Sequence, residues 1–273
     1  MALAIATNNA ALNAAASASS VNRDMETSMA RLSTGKRINS ASDDAAGVAI
    51  SSRLSAEIRG TDQAIRNSLD GQALIDTAEG AHKEIENILQ RMREVTIQAA
   101  NDTNNTQDRA NLQAEVEAMT TEIDRIAGTT TWAGANLMDA ATSSFSFQVG
   151  AATGTQNQIA VNISKMNATG LSVGTGTASS IDVSTDVKAR SGTDLIDTAI
   201  KDVNIQRSKL GAVSNRLNHT VNNLTNISSN LSAAKGGIED ADFALETTNL
   251  AKNQILQQAS TAMLAQVNSL TVH

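Results

Sequence analysis

The chain has 273 residues and a formal net charge of −7, it contains no cysteine and no proline, and only 1% of its residues are aromatic. Without cysteine there is no disulfide, no thiol chemistry and no Cys-ligated zinc, and an acidic chain with no long Lys/Arg run lacks the clustered positive charge that nucleic-acid binding requires. Because proline is absent and aromatic bulk is scarce, the composition favours long uninterrupted helices that meet in thin aliphatic seams.

The N-terminal segment 1–38 is rich in Ala, Ser and Asn and carries a sparse apolar stripe at helical spacing. The start of the chain has no basic n-region, so we do not predict a cleaved signal peptide and expect that any export avoids the general secretory route. No apolar run approaches the about 18 residues of a membrane span, so we expect no membrane insertion. The apolar stripe of segment 1–38 consists of Val21, Met25, Met29 and Leu32.

Two further helical patterns follow, over 45–100 and 106–127, with a polar loop at 101–107 between them. Asp43 and Asp44 stand before the first of these patterns, where they suit a turn and a helix start better than a pair of catalytic carboxylates. Glycine in a helix interior is less favourable than alanine by about 1 kcal/mol. Three glycines therefore weaken the prediction of one unbroken helix: Gly60, Gly71 and Gly80.

Residues 129–192 change character, because they are rich in Gly, Ser and Thr and carry period-two alternation. Segments 145–149 and 159–163 alternate apolar and polar residues, and the Gly-containing stretch between them suits a hairpin. Residues 181–183 are a further candidate strand. The sequence thus predicts a small β-rich region inside an otherwise helical chain.

The strongest periodicity of the chain lies in residues 194–235. Large aliphatic residues recur there at every seventh position, and most of the positions three further on are also apolar, which predicts a helix packed along its length against other helices. We expect the earlier helices 45–100 and 106–127 to be its partners and Gly236-Gly237 to end it. The seam comprises Ile196, Val203, Leu210, Leu217, Leu224 and Leu231.

The last segment, 238–273, mirrors the first. It has a helical apolar stripe and more acidic than basic residues, whereas residues 1–42 have more basic than acidic residues, so the two ends can pair. Thin terminal helices leave apolar surface uncovered, and such surface usually marks assembly. The stripe comprises Leu256, Ala259, Met263, Val267 and Leu270.

Motifs at both ends resemble those of one family. The segment RLSTGKRINSASDDAAGVAIS spans 31–51, and NLSAA (230–234), IEDAD (238–242) and AMLAQ (262–266) follow near the other end. In this order the motifs are similar to those of bacterial flagellin, the subunit of the flagellar filament. The resemblance covers roughly 1–140 and 195–268, and only about 60 residues remain between them, which indicates a short form without large outer domains.

The resemblance implies a mainly α fold, a long antiparallel helical bundle or coiled coil with a small central β-hairpin region. It implies a terminal coiled-coil domain lining the filament channel, formed by 1–42 and 238–273, and a helical core domain over 43–237 that holds the β-rich segment 129–192. It further implies export in unfolded form through the flagellar type III apparatus to a secreted, filamentous location. The implied partners are other copies of the chain in a homopolymer, a flagellin export chaperone, and the filament cap and hook-junction proteins.

Two groups of residues gain roles from these arguments. We expect the terminal stripes to be unpaired or disordered in the monomer and to become buried on polymerisation. The predicted subunit-assembly residues are Val21, Met25, Met29, Leu32, Leu256, Met263, Val267 and Leu270, and the predicted internal seam residues are Leu210, Leu217, Leu224 and Leu231.

The resemblance also implies a surface that the vertebrate flagellin-sensing Toll-like receptor recognises. Arg91 and Glu115 match the family there, whereas Val95 stands where leucine is usual. The primary role of this surface is packing and filament contact. The predicted receptor-contact residues are Gln90, Arg91, Glu94 and Glu115.

Two departures from the family are visible. The usual Phe-Asn-Gly near the β-region is Trp132-Ala133-Gly134 in this chain, and the end of the chain lacks the usual Pro-Gln pair and Leu-rich tail. The second departure affects the last turn that lines the channel.

Three other classes of protein agree less well with these features. A hook–filament junction protein shares the terminal helices, but the dense C-terminal match and short middle favour flagellin. A signalling coiled coil, such as a chemoreceptor hairpin, stays helical through its tip, which the glycine- and β-rich middle contradicts. An enzyme needs a catalytic constellation, and the three histidines are far apart with no HExxH motif. We therefore predict no catalytic residue, no metal and no cofactor.

Overall fold

The computed structural model describes residues 9–139, 142–174 and 181–269. These residues form five α-helices and two antiparallel β-hairpins, which confirms the predicted mainly α fold with a small β-region. The helices are α1 Asn9–Thr34, α2 Ala45–Ala99, α3 Thr106–Thr129, α4 Asp186–Glu239 and α5 Phe243–Ser269. The strands are β1 Thr131–Trp132, β2 Ala135–Asn136, β3 Thr142–Gln148 and β4 Gln158–Ser164, with a 3-10 turn at Thr155–Asn157.

The chain divides into two compact units. The terminal unit comprises Met1–Ile58 and Ser229–His273, and the core unit comprises Arg59–Ser228. The helices α2 and α4 each contribute residues to both units.

The core unit is organised around the heptad seam of α4. Its buried positions keep the alternating three-and-four spacing of a helix packed on other helices. Charged side chains of α4 join it to α2 in antiparallel order, since Arg93 pairs with Asp197 at 2.6 Å and Arg207 reaches Glu79 at 3.2 Å. The buried seam comprises Ala189, Gly192, Ile196, Ala199, Val203, Gln206, Leu210, Leu217 and Leu224.

The hairpin β3–β4 lies against these helices, with Phe145 opposite Val161. Alternate residues of β4 are buried, as the period-two pattern predicts. A Cβ on Gly71 would lie 3.2 Å from the ring of Phe147 and 3.3 Å from Leu217, so this glycine in α2 allows the hairpin to approach the helix closely. The propensity of α2 for helix is weakened there, and close packing compensates.

Side-chain caps stabilise the N-termini of α2 and α3. Asp44 accepts a hydrogen bond from the backbone N–H of Gly47 at 2.8 Å, as an N-cap does. Asn105 and Asp108 form a reciprocal capping box at the start of α3. Asp43 accepts hydrogen bonds from the backbone N–H groups of Ser40 and Asn39, which lower the pKa of its carboxyl. The interpretation of Asp43 and Asp44 as turn and helix-start residues is thereby confirmed.

Two local predictions are wrong. The helix α4 does not stop at Gly236-Gly237 but continues to Glu239, and the carbonyl of Gly236 accepts a helical hydrogen bond from Asp240 at 2.8 Å. Residues 181–183 form no strand, although Ile181 and Val183 are buried. The side chain of Gln113 takes the place of a neighbouring strand, because it accepts from Val183 N–H at 2.9 Å and donates to the carbonyl of Ile181 at 3.3 Å.

Candidate assembly surface

The terminal unit is built on α1 and α5, which pack against each other in antiparallel order. On α1, most of the half-buried and buried positions alternate by three and four residues, which is heptad spacing. These positions are occupied mostly by small residues, so the two backbones approach without burying much apolar volume. They comprise Ala11, Ala14, Ala18, Val21, Met25, Ser28 and Leu32.

The facing positions of α5 are mostly polar. They follow the same spacing, and they comprise Glu246, Leu250, Asn253, Gln257, Ser260 and Leu264. The amide of Gln257 donates to the side-chain oxygen of Asn22 at 2.7 Å across the seam. The α1–α5 seam therefore has heptad geometry but little of the apolar content that normally stabilises it.

A polar notch of about 350 Å³ opens between the two helices near Arg31 and Glu246. The Glu246 side chain is almost completely buried, and its carboxylate lies 3.8 Å from the Arg31 guanidinium. Ser28 is also buried, and the buried Nε of Arg31 has no hydrogen-bond partner within the described chain. A charge pair that needs this geometry disfavours other registers of α1 against α5.

Several large apolar side chains of α1 and α5 lie outside this seam and are exposed. Five large ones on α5 are exposed, and the most exposed is Phe243 at 67%. On α1, Leu12 and Met29 are exposed as well. The outward apolar face, as we call this set, comprises Leu12, Met29, Phe243, Leu245, Ile255, Leu256 and Met263.

The predicted assembly residues thus fall into separate groups. Val21, Met25 and Leu32 are half-buried in the α1–α5 seam, whereas Met29, Leu256 and Met263 belong to the outward apolar face. Val267 lies in α5, but its side chain is outside the described part of the structure, and Leu270 is outside the described residues altogether. The expectation that the terminal stripes are unpaired does not hold for the seam group, which faces the partner helix within the same chain.

A clasp joins the segment that follows α1 to the C-terminal end of α4. We use this name for residues 35–37 and 239–241, which meet in an isolated antiparallel bridge. Arg37 N–H donates to the Glu239 carbonyl at 2.6 Å, and Ala241 N–H donates to the Gly35 carbonyl at 3.0 Å. The Glu239 carboxylate also forms an ion pair with Lys36 at 3.1 Å and accepts a hydrogen bond from the Ser51 hydroxyl. The clasp fixes where α1 and α5 begin to run side by side.

The four predicted internal seam residues have graded burial. Leu210 and Leu217 are fully buried, Leu224 is buried, and Leu231 is only half-buried. The decline coincides with the end of the core unit at Ser228. The aliphatic spacing of the sequence continues past the region in which α4 is fully covered.

The predicted receptor-contact residues form a charged surface on α2 and α3. Arg91 donates to Glu115 at 2.9 Å and to Glu94 at 2.9 Å, and hydrogen bonding to Glu115 is the main cause that raises the pKa of Arg91. Gln90 is exposed and donates to Glu86 at 3.4 Å. The pairs are solvent-exposed, so screening by water and salt leaves each of them only a small contribution to stability.

A buried histidine lies in the core unit. His82 is completely buried, its Nδ1 lies 2.6 Å from the Ala78 carbonyl oxygen, and its Nε2 has no hydrogen-bond partner in the described structure. Desolvation lowers the pKa of this imidazole. The sequence pattern alone did not single out His82 as a core residue.

Sequence reasoning missed the polar side of the α1–α5 seam. The signal was present, because 246, 250, 253, 257, 260 and 264 are spaced as a heptad seam. The apolar periodicity of α5 indicates a stripe one position away from these polar residues instead.

The described residues contain no group of three or more His, Cys, Asp or Glu side chains able to hold a metal ion. Within the same residues, no helix combines the length and apolarity that crossing a bilayer requires.

Family models match at both ends of the chain. The model of the bacterial flagellin N-terminal helical region matches residues 5–143, and that of the C-terminal helical region matches residues 193–272. A flagellin of Halalkalibacterium halodurans is 46% identical over 240 residues, covering 88% of this chain and 86% of the relative. A flagellin of Bacillus subtilis is 42% identical over 96% of this chain and 95% of the relative.

A solved structure is also similar. The crystal structure of Bacillus cereus flagellin aligns with a TM-score of 0.50 and 32% identity, covering 62% of this chain and 94% of that one. The alignment with polar flagellin F of Vibrio parahaemolyticus, at 35% identity, runs over 364 positions and so includes segments that this 273-residue chain lacks.

The long helices and the exposed apolar side chains of α1 and α5 define a helical structural protein. With the family matches at both ends, the chain belongs to the bacterial flagellin family. It is a subunit of the extracellular flagellar filament that serves motility, in a short form without large outer domains. The predicted family and function are confirmed, and the alternatives of a junction protein or a signalling coiled coil are not favoured.

Proposed function

We propose that this chain enters the filament through the outward apolar face of α1 and α5, which neighbouring copies of the chain cover. The observation that carries this proposal is the distribution of side chains on α5, where mostly polar residues face α1 while five large apolar residues are exposed. In this proposal, 1–42 and 238–273 form the channel-lining coiled coil, and 43–237 forms the surrounding core domain. The role is structural, without catalysis or a cofactor.

The free energy available on this face is substantial. Full burial of a large apolar side chain contributes about 1.5–3 kcal/mol. Phe243, Leu245, Ile255 and Met263 are each more than half exposed, so covering each one contributes about 1–2 kcal/mol. Part of this sum is offset by the lost freedom of the associating subunits.

The weak internal seam has a consequence for the free subunit. Ordering a residue costs about 1–2 kcal/mol, and a seam of small and polar side chains offsets little of this. We therefore propose that α1 and α5 acquire their full stability only when neighbouring subunits cover them, which is folding coupled to binding.

The same face accounts for the proposed export partners. An uncovered apolar C-terminal helix needs protection before assembly, so we propose that the export chaperone binds the α5 region. The subunit then passes in unfolded form through the type III apparatus and is placed under the filament cap, beyond the hook-junction proteins. Zero cysteine and zero proline suit this route, because neither disulfide formation nor slow prolyl isomerisation delays refolding.

The assembly surface is tested by matched serine substitutions. Ile255 on α5 and Val187 at the start of α4 are both 66% exposed. Ile255→Ser is expected to raise the critical concentration for elongation on filament seeds by about tenfold, because one buried aliphatic contact is lost. Val187→Ser is the control and is expected to elongate normally. Equal elongation of both variants, measured by light scattering and electron microscopy, would contradict the proposal.

A truncation gives a coarser test. Removal of 256–273 takes away Leu256 and Met263 while leaving every residue of the core unit in place. The expected product is a soluble monomer with an intact helical core by circular dichroism and no filaments. Filaments formed by this truncated chain would refute the assembly surface.

We also propose that the vertebrate flagellin-sensing Toll-like receptor binds the surface formed by Gln90, Arg91, Glu94 and Glu115. The support is the family resemblance together with the exposed, pre-ordered Arg91 guanidinium. Arg91→Ala is expected to weaken the response of receptor-reporter cells to depolymerised protein, while Arg125→Ala, which breaks a comparable exposed pair with Glu122, leaves it unchanged. An absent response to the unmodified protein would rule out this interaction.

A further inference from the structure

The described methionines differ widely in burial, and Met25 and Met119 are half-buried. Of the eight in the sequence, Met92 and Met138 are completely buried and Met166 is 3% exposed. Met29 and Met263, by contrast, are 54% and 58% exposed. The buried sulfurs all belong to the core unit, and the two exposed ones belong to the terminal unit.

The heptad spacing explains why Met29 and Met263 are outside the seam. Met25 and Leu32 occupy seam positions of α1, so Met29 lies on the outer side of the same helix. On α5, Ser260 and Leu264 are the seam residues, so Met263 also faces outward. Both thioethers are therefore open to solvent reagents in the free subunit, and both belong to the outward apolar face.

We propose that Met29 and Met263 are oxidation sites through which hydroperoxides control the addition of new subunits. In the reaction, the thioether sulfur attacks the outer peroxide oxygen, an S–O bond forms and the O–O bond breaks. The sulfur loses two electrons and becomes a sulfoxide, and the peroxide is reduced to water, or to an alcohol if it is organic. The product is a polar, chiral side chain in place of a flexible apolar one.

The consequence for assembly rests on the proposed function, in which neighbouring copies cover this face. A sulfoxide must be desolvated when it is buried without a hydrogen-bond partner, so the apolar contact becomes unfavourable. Loss of one buried methionine contact raises the critical concentration by roughly tenfold. Because assembly covers the same sulfurs, subunits already in a filament are protected, and a peroxide stops growth without dissolving the filament.

The test uses full-length monomer treated with hydrogen peroxide, quenched, and added to filament seeds. Peptide mass mapping is expected to find sulfoxide at Met29 and Met263 before Met92, Met138 or Met166. Elongation is expected to fall for the wild-type chain and for the control Met92→Leu, which keeps both exposed methionines. The double variant Met29→Leu/Met263→Leu is expected to elongate after the same treatment, since leucine has a similar volume and cannot form a sulfoxide.

Two results would overturn the inference: normal elongation of wild-type subunits oxidised at both sites, or equal sensitivity of the double variant. Methionine sulfoxide reductases specific for the two epimers give an independent arm with no substitution, and they are expected to restore elongation of the oxidised wild-type chain. If they do not, the sulfoxides are not the cause. Untreated wild-type subunits that fail to elongate would instead refute the proposed assembly function, and this arm contains no peroxide.

Discussion

The core unit buries mostly apolar side chains, whereas the described part of the terminal unit buries mostly polar ones. In the core unit, α4 presents a ladder of aliphatic residues, and its large side chains such as Ile196 and Leu210 are almost completely buried. In the described part of the terminal unit, Ile38 is the only large apolar residue that is buried, together with the polar residues Ser28, Ser51, Glu246 and Ser260. Both units use heptad spacing, so spacing does not decide how stable a helical seam is.

This difference in buried side chains indicates where each unit obtains its stability. A seam filled with aliphatic side chains stabilises the chain that contains it. A seam built mostly of small and polar side chains fixes a geometry and leaves many large apolar side chains exposed. The core unit is therefore expected to be stable alone, and the terminal unit is expected to depend on other copies.

The largest effect that sharpens this comparison is expected from two leucines. Leu217→Ala opens a cavity in the core unit, where Leu217 is completely buried, and is expected to lower the free energy of unfolding by about 2–5 kcal/mol. Leu245→Ala removes the same atoms from an exposed site of the terminal unit and is expected to change it by less than about 0.5 kcal/mol. Urea unfolding of the monomer, followed by circular dichroism, measures both, and similar losses for the two variants would break the comparison.

Acidification tests the buried interior of the core unit. Burial lowers the pKa of His82 in the folded chain below its ordinary 6.5, so the unfolded chain binds a proton first as the pH falls. His82 therefore contributes no penalty at neutral pH and destabilises the fold progressively below about pH 6.5. The charged groups Glu79 and Arg207 act on it in opposite directions.

His82→Gln is expected to flatten the loss of unfolding free energy between pH 7 and pH 5 relative to the wild-type chain. The carboxylates titrate in both proteins, so the difference between their slopes isolates the histidine. Identical slopes would show that His82 is protonated in the folded state without penalty. His219→Gln is the control, because His219 is exposed in the same unit.

Two glycines of α2 separate helix propensity from packing. A Cβ on Gly80 would meet nothing within 4 Å, so Gly80→Ala is expected to stabilise the core unit by about 0.5–1 kcal/mol. A Cβ on Gly71 would press on Phe147 and Leu217 at 3.2–3.3 Å, so Gly71→Ala is expected to lose this gain. Thermal unfolding of both variants measures the difference, and an equal gain at Gly71 would mean that the hairpin moves away freely.

The smallest effect is expected at the turn of the β1–β2 hairpin. Ala133 and Gly134 have φ of 49° and 83°, the two positive values of a type I′ turn, in which Asn-Gly is favoured. Ala133→Asn is expected to stabilise the core unit by about 0.5–1 kcal/mol, because asparagine adopts this conformation more readily than alanine. Ala133→Val should act in the opposite direction, and a melting temperature unchanged by both would contradict the turn assignment.

Much of the fold was predictable because it depends on local periodicity. The seam from Ile196 to Leu217, the hairpin of 145–149 with 159–163, and the polar loop after α2 all follow from spacing within one segment. The errors involve distant groups. The side chain of Gln113 substitutes for a strand at 181–183, and the end of α4 is fixed at the clasp, more than 200 residues away in sequence from Lys36.

The candidate site was predictable in location but not in orientation. An apolar stripe on a thin terminal helix indicates that the stripe is buried somewhere, and the sequence identified α1 and α5 on this basis. It does not say which neighbour covers the stripe. On α1, Met25 faces the partner helix of the same chain and Met29, four residues on, faces outward.

By itself, the sequence determined the family, the helical class, the aliphatic seam of the core unit and the presence of unpaired apolar residues at both ends. These properties depend on residue type and spacing along one segment. Only the tertiary structure decided that α1 and α5 meet mostly through small and polar residues, with Glu246 paired to Arg31, and that the outward apolar face is exposed. The reason is that a helix offers several faces at nearly the same spacing, and the choice among them depends on the packing of a partner that is distant in sequence.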